Sequence, residues 1–162
     1  MTRTLAALIL TATLTACGGG GGGAAPNPAP APDASGQPLP ALVTAINDAR
    51  RANGLPDLTL NARLNAAAAA HAGDMARRGY FAHDTPEGQT VADRVTAQGY
   101  TWCFVAENLA YGQSSVAETV AGWQTSPGHR ANNLSAKAVQ AGAGKAVGNG
   151  RTYWVAVFAR GC

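Results

Sequence analysis

The chain of 162 residues predicts an α+β fold, an antiparallel sheet covered by helices, and three observations carry that expectation. Apolar residues at helical spacing, with capping residues at the start of several runs, recur between Pro40 and Leu134. A Gly148-Asn149-Gly150 hairpin signal separates two strand-like runs near the C-terminus. A third strand-like run passes through Phe104 to Leu109. Helices first, strands threaded later and a terminal hairpin point to a layered α+β domain.

Each element has a local reason. Leu42, Val43, Ile46 and Ala49 follow helical spacing until Asn53-Gly54, with Pro56 just beyond, so a first helix runs from about Pro40 to Ala52. Asn61 can cap a second, with Leu64, Ala68, His71 and Met75 along one face and Gly79 past its end. The many alanines of this helix allow a neighbouring element to approach closely. Thr90-Val-Ala-Asp93 and Ser115-Val-Ala-Glu118 resemble capping boxes and open helices ending near Gly99 and Thr125. Ser126-Pro127 reads as an N-cap followed by proline at the first helical position, starting a short helix through about Leu134. Ala138–Val147 and Thr152–Arg160 flank the hairpin signal, and Tyr153 to Phe158 have the β-branched and aromatic character of a buried strand.

The N-terminus reads as a leader. Arg3 supplies a positive charge, Leu5 to Leu14 form an apolar run too short to span a bilayer, and small residues precede Cys17. The Leu14-Thr15-Ala16-Cys17 run resembles the lipobox of bacterial lipoproteins, whose cysteine is lipidated and becomes the first residue of the mature chain. The alternative is an ordinary secretory signal with a chance cysteine. A diacylglyceryl group with a further amide-linked chain would anchor stably, where a single chain binds only marginally. Gly18 after the cysteine, in place of an aspartate, resembles lipoproteins sent on to the outer membrane. Gly18–Gly23 followed by the alanine- and proline-rich stretch to Pro40 cannot bury enough surface to offset its ordering entropy. It reads as a tether with a reach of about 70 Å at about 3.1 Å per residue. The expected organisation is a signal peptide at 1–16, a tether at 17–40 and one domain at 41–162.

With Cys17 assigned to lipid, Cys103 and Cys162 remain of the three cysteines. In an oxidising compartment this pair reads as a disulfide. The bridge would tie Cys162 back to the middle of the domain and stabilise it by about 4 kcal/mol in the chain-entropy view. Two buried free thiols are the alternative. Removing Arg3 with the leader takes the formal charge from +3 to +2, and the arginines are scattered rather than gathered in a stripe, which argues against a nucleic-acid partner.

The chemistry-bearing runs are Tyr80-Phe81-Ala82-His83, Ala106-Glu107-Asn108-Leu109-Ala110-Tyr111-Gly112, and Trp123 followed by Ser126-Pro127-Gly128-His129-Arg130. Together with the Tyr153-Trp154 strand, and in this order, they resemble the bacterial branch of the CAP superfamily, the cysteine-rich secretory, antigen 5 and pathogenesis-related class 1 proteins, also called SCP-like extracellular domains. The resemblance covers essentially residues 41 to 162. It implies an α-β-α sandwich with a central antiparallel sheet and a surface cleft. In animal and plant members two histidines and two glutamates in the cleft can bind zinc; the family is also associated with sterol or lipid binding, and proteolytic or cell-wall roles have been suggested for some members. His83 matches the first family histidine and Glu107 the first glutamate, and His129 is equated with the second histidine. Where the second glutamate would stand, this chain has Ser126.

His83, Glu107 and His129 therefore supply at most three metal ligands, for Zn2+ or another divalent cation, and no cofactor is required by the pattern. His83 near Glu107 reads either as a carboxylate-oriented imidazole for metal binding or proton transfer, or as a structural pair organising the loop after the second helix. His129, near a positive helix end, is expected to stay neutral and able to coordinate, or to hydrogen-bond across the cleft. Ser126 and His129 lie on one helical turn, but a serine that caps its own helix is a poor nucleophile. Arg130 is expected to anchor an anionic group or to pair with Glu107. His71, among alanines, reads as a satisfied core histidine, and Trp123, Trp154 and Phe158 as core.

Two functional classes follow. The first is a noncatalytic module of the cell envelope, held to the membrane through lipidated Cys17, whose cleft binds a lipid, glycan, peptide or metal. The second is a peptide- or peptidoglycan-directed hydrolase using His83 and Glu107, with or without a metal.

Overall fold

The structure is a computed structural model and describes residues 34–162. The expected leader, Cys17 and most of the expected tether lie outside the described residues. In chain order the elements are β1 (Gln37–Pro38), α1 (Pro40–Arg51), β2 (Thr59–Leu60), α2 (Ala62–Arg78), α3 (Val91–Ala97), β3 (Trp102–Tyr111), α4 (Val116–Thr125), α5 (Pro127–Asn133), β4 (Gln140–Gly148) and β5 (Arg151–Gly161).

The helix starts follow from their caps. The Asn61 side chain accepts from the backbone N–H of Arg63 at 2.9 Å, and Gly79 closes α2 at a φ of 72°, where a side chain would be strained. Thr90 and Asp93 form a complete capping box. At α4 the box is shifted by one residue. Ser115 accepts from the Glu118 N–H, but the Glu118 carboxylate reaches back to the N–H of Ser114 at 2.8 Å. Ser126 sits at the N-cap of α5 as expected, yet its hydroxyl makes no capping bond, and its backbone also ends α4.

The sheet runs β1-β4-β5-β3, with β2 also beside β4. All pairs are antiparallel except β2–β4, which is parallel. The hairpin turns through Asn149 at φ 51° and Gly150 at φ 71°, the two successive positive values that a tight two-residue turn requires. β1 and β2 were not expected from the sequence: two residues carry no alternation to read, and both are shaped by β4 alongside. The segment expected as tether up to Pro40 therefore joins the sheet already at Gln37, which pairs with Lys145.

Alternation along β5 builds the three layers. Tyr153, Val155, Val157 and Ala159 face the core shared with α2 and α3. Trp154, Ala156 and Phe158 face a second core with α1 and α4. β5 is thus apolar on both faces, as a central strand between two helical layers must be. α2 lies unusually close to β4. A Cβ added at Gly142 would meet the Leu64 carbonyl carbon at 2.2 Å, and one at Gly144 the Ala69 Cα at 2.4 Å. Glycines facing alanines let two backbones pack without side chains between them. The disulfide Cys103–Cys162, with its Cα atoms 4.9 Å apart, ties the end of the chain to the start of β3.

Candidate functional site

The site is built on β3, an edge strand. Successive side chains there point to opposite faces. Val105, Leu109 and Tyr111 contact the α2/α3 core, so Glu107, in phase with them, faces that layer; Phe104, Ala106 and Ala110 contact the α1/α4 core, and Asn108 shares their face.

Glu107 is buried, its side chain only 2% exposed, and both of its oxygens are engaged. Oε1 accepts from His83 Nδ1 at 2.9 Å, and Oε2 accepts from Arg94 Nη2 at 2.8 Å. Arg94 also donates to the Gln89 carbonyl at 2.9 Å, binding α3 to the loop that follows His83. Such charge-assisted bonds to a buried carboxylate fix its orientation. The loop carrying His83 is pinned from below, since His71 Nε2 bonds the Ala82 carbonyl at 3.0 Å. A carbonyl only accepts, so this nitrogen carries the proton. The Nδ1 of His71 is buried with no partner, so the expected satisfied core histidine is satisfied on one side only.

Asn108 organises the opposite face. Its amide donates to the His129 carbonyl at 2.9 Å and to Asn133 Oδ1 at 3.0 Å, while its oxygen accepts from Asn132 at 2.9 Å. Asn132 also donates to the Glu107 carbonyl at 3.2 Å, and Trp123 Nε1 donates to the Leu109 carbonyl at 2.9 Å. These bonds close the exposed edge of β3 and moor α4 and α5 against it. Arg50, 1% exposed, donates to the carbonyls of Pro56, Asn133 and Ser135, joining α1 to the end of α5.

Electrostatics separate the histidines. The hydrogen bond to Glu107 holds the His83 imidazole above its usual range. Burial pushes His129 down, and the nearby His83 adds to the shift. Burial likewise lowers His71. With Nδ1–H directed at Glu107, His83 turns Nε2 outward on a side chain 57% exposed. That is a carboxylate-oriented imidazole with a free basic nitrogen. A cleft of about 440 Å³ lies next to it along the end of β3, lined by residues including Phe81, Tyr111, Trp123, Ser126 and His129. A second hollow of about 300 Å³ lies behind, between α2 and the 85–89 loop, and Arg94 and His71 are among the residues that line it.

The expected site residues are placed as follows. His83 and Glu107 meet. Ser126 and His129 line the cleft, and the His129 ring lies against Trp123, centroids 6.3 Å apart; His129 makes no bond to the Glu107 carboxylate, whose two oxygens accept from His83 and Arg94. Arg130 does not pair with Glu107; it donates to Asn53 Oδ1 at 3.1 Å, and Arg94 holds the carboxylate instead. Among the described residues no three His, Cys, Asp or Glu side chains gather as a metal-binding group. The set His83, Glu107 and His129 does not fit a zinc ion, because Glu107 is buried and each of its oxygens already accepts from a guanidinium or an imidazole. Arg94 and the Asn108–Asn132–Asn133 cluster were missed. A signal for Arg94 existed: it lies three residues after Val91 and next to Val95, on the inward face of a short helix.

Fold and site together define a three-layer sandwich with a histidine–carboxylate pair at the rim of an edge-strand cleft. The chain belongs to the CAP, or cysteine-rich secretory protein, family, whose model matches residues 43–158. It is 32% identical over 103 residues to the uncharacterised protein YkwD of Bacillus subtilis, covering 64% of this chain and 40% of that protein. Among solved structures, an extracellular protein containing an SCP domain from Bacillus anthracis superposes with a TM-score of 0.68 at 27% identity, over 75% of this chain and 40% of that one. An outer surface protein of Borrelia burgdorferi shares the fold, with a TM-score of 0.71 at 19% identity, over 78% of this chain and 99% of the other. The chain thus spans well under half the length of the two Bacillus relatives. Among the described residues no helix is long and apolar enough to cross a membrane.

Proposed function

We propose that this chain is a noncatalytic module of the bacterial cell envelope, lipid-anchored through Cys17 in the outer membrane, whose cleft beside His83 and His129 binds a small ligand. The observation that carries the reading is the state of Glu107. A carboxylate 2% exposed and held by Arg94 and His83 at 2.8 and 2.9 Å has the character of a fixed structural acceptor, with each oxygen already committed to a donor. The anchor is supported by the Leu14-Thr15-Ala16-Cys17 run, and the extracytoplasmic setting by the extracellular relative and by the disulfide.

A hydrolase is the competing reading, favoured by the outward Nε2 of His83. Turnover of peptide and peptidoglycan substrates by the wild-type chain and by His83→Ala separates the two. No turnover in either, with Zn2+ titration showing no site tighter than about the micromolar range, is the expected result. A rate lost on His83→Ala would replace the module with an enzyme. For the anchor, Cys17→Ser is expected to move the protein from the membrane fraction to the soluble one; retention in the membrane would remove the lipid from the account.

A further inference from the structure

We propose that the cleft along the end of β3 takes a neutral sugar ring, so that the ligand of the module is a glycan; this rests on the noncatalytic cleft-binding reading above. No charged side chain lines this cleft of about 440 Å³. The volume is that of a small-molecule site. The lining has no fixed charge to pair with an ion, and the Arg151 guanidinium, 5.5 Å from the Tyr111 ring centroid, already occupies that aromatic face against a second cation, so the cleft favours a neutral ligand.

The lining has two kinds of surface. Phe81, 49% exposed, stacks on Tyr111 with centroids 5.6 Å apart, and Tyr111 in turn lies 4.7 Å from Tyr153. Phe81 is therefore the outer end of a supported row of three rings, an aromatic face held rigidly toward solvent. Around it stand neutral groups that both give and take hydrogen bonds. The Ser126 hydroxyl is not used in capping α5. Gln113 lines the same cleft, and its Oε1 is buried without a partner. The His129 ring completes the set. An acceptor left unsatisfied carries a cost that an O–H or N–H donor removes. A pyranose presents an apolar C–H face to the ring and hydroxyls around its rim, which matches this division. An acyl chain would satisfy the aromatic wall and leave the polar groups unpaired.

The test uses the full chain with Cys17→Ser, followed by amide NMR shifts and tryptophan fluorescence, since Trp123 lines the cleft. Titration with N,N′-diacetylchitobiose and with cellobiose is expected to give a saturable shift at Phe81, Tyr111, Gln113 and Ser126 for at least one of them. Phe81→Ala is expected to weaken binding about tenfold, and Phe81→Tyr, which keeps the ring, to retain it. Amide shifts unchanged outside the cleft report that the variants fold. Saturable shifts at these residues with dodecanoate or a short peptide, and none with either sugar, would overturn the glycan assignment while leaving the cleft a ligand site. Silence of these residues to every probe would overturn both readings, and sugar binding indifferent to Phe81→Ala would place the sugar elsewhere and overturn the inference.

Discussion

Removing the guanidinium of Arg94 leaves the Glu107 carboxylate, 2% exposed, with only an imidazole to balance it. Breaking one side of a buried pair in this way is expected to cost Arg94→Ala about 3–5 kcal/mol in urea unfolding, whereas replacing both partners with apolar residues recovers most of it. An Arg94→Ala protein as stable as wild type would refute this account of the site. The histidines give a second prediction. His83 is raised by its bond to Glu107, so the folded chain holds that proton more tightly than the unfolded one. Its stabilisation is complete below about pH 6.5 and is lost as pH rises through the folded value. His71 and His129, lowered chiefly by burial, act in the opposite sense: their contribution is full above about pH 6.5 and declines as acid protonates the unfolded chain first. NMR titration should place His83 above that value and the other two below it; a His83 midpoint lower than that of His129 contradicts the pairing.

Among the elements, the contact between α2 and β4 is set by what is missing. Gly144→Ala would drive a methyl group against the Ala69 backbone at 2.4 Å. Overpacking of this kind costs about 1–3 kcal/mol, and the backbone obstacle puts the expected value at the upper end. Gly122, helical and with nothing within 4 Å of its would-be Cβ, is the control. Gly122→Ala should be neutral or stabilise by up to about 1 kcal/mol. Chemical denaturation of the two variants checks the contrast, and equal effects would mean that the close packing is not what the glycines provide. The elements themselves were largely legible. Asn61, Thr90, Ser115 and Gly79 carry their cap geometry in their own side chains or lack of one, so the helix ends emerge within a residue or two. β1 and β2 did not emerge, because a two-residue strand is defined by its partner.

For the whole molecule, the bridge between Cys103 and Cys162 closes a separation of 59 residues, spanning everything from β3 to the end of β5. Both cysteines are exposed, so replacing them with serine removes little packing. The loss is expected to be about 4 kcal/mol, seen equally as the effect of a reductant on the wild-type chain. A reductant that leaves the unfolding midpoint unchanged would show that β3 and β5 hold without the tie. The residues themselves announce the α+β class and the terminal hairpin, because caps, turn glycines and apolar periods act over a few positions; the cysteine pair comes from counting cysteines in an oxidising compartment, and the nearness of His83 to Glu107 from the family resemblance. The partner of Glu107 is another matter. Arg130 and Arg94 were both available as cations, and which one reaches the carboxylate depends on β3 turning Glu107 toward α3 and Asn108 toward α5. The same alternation commits Glu107 to Arg94 and His83, and among the described residues no three-ligand group forms around it. Local patterning reaches along the chain for a turn or two, whereas the side chains that meet across a sheet edge are chosen by strand order and by the face each residue occupies.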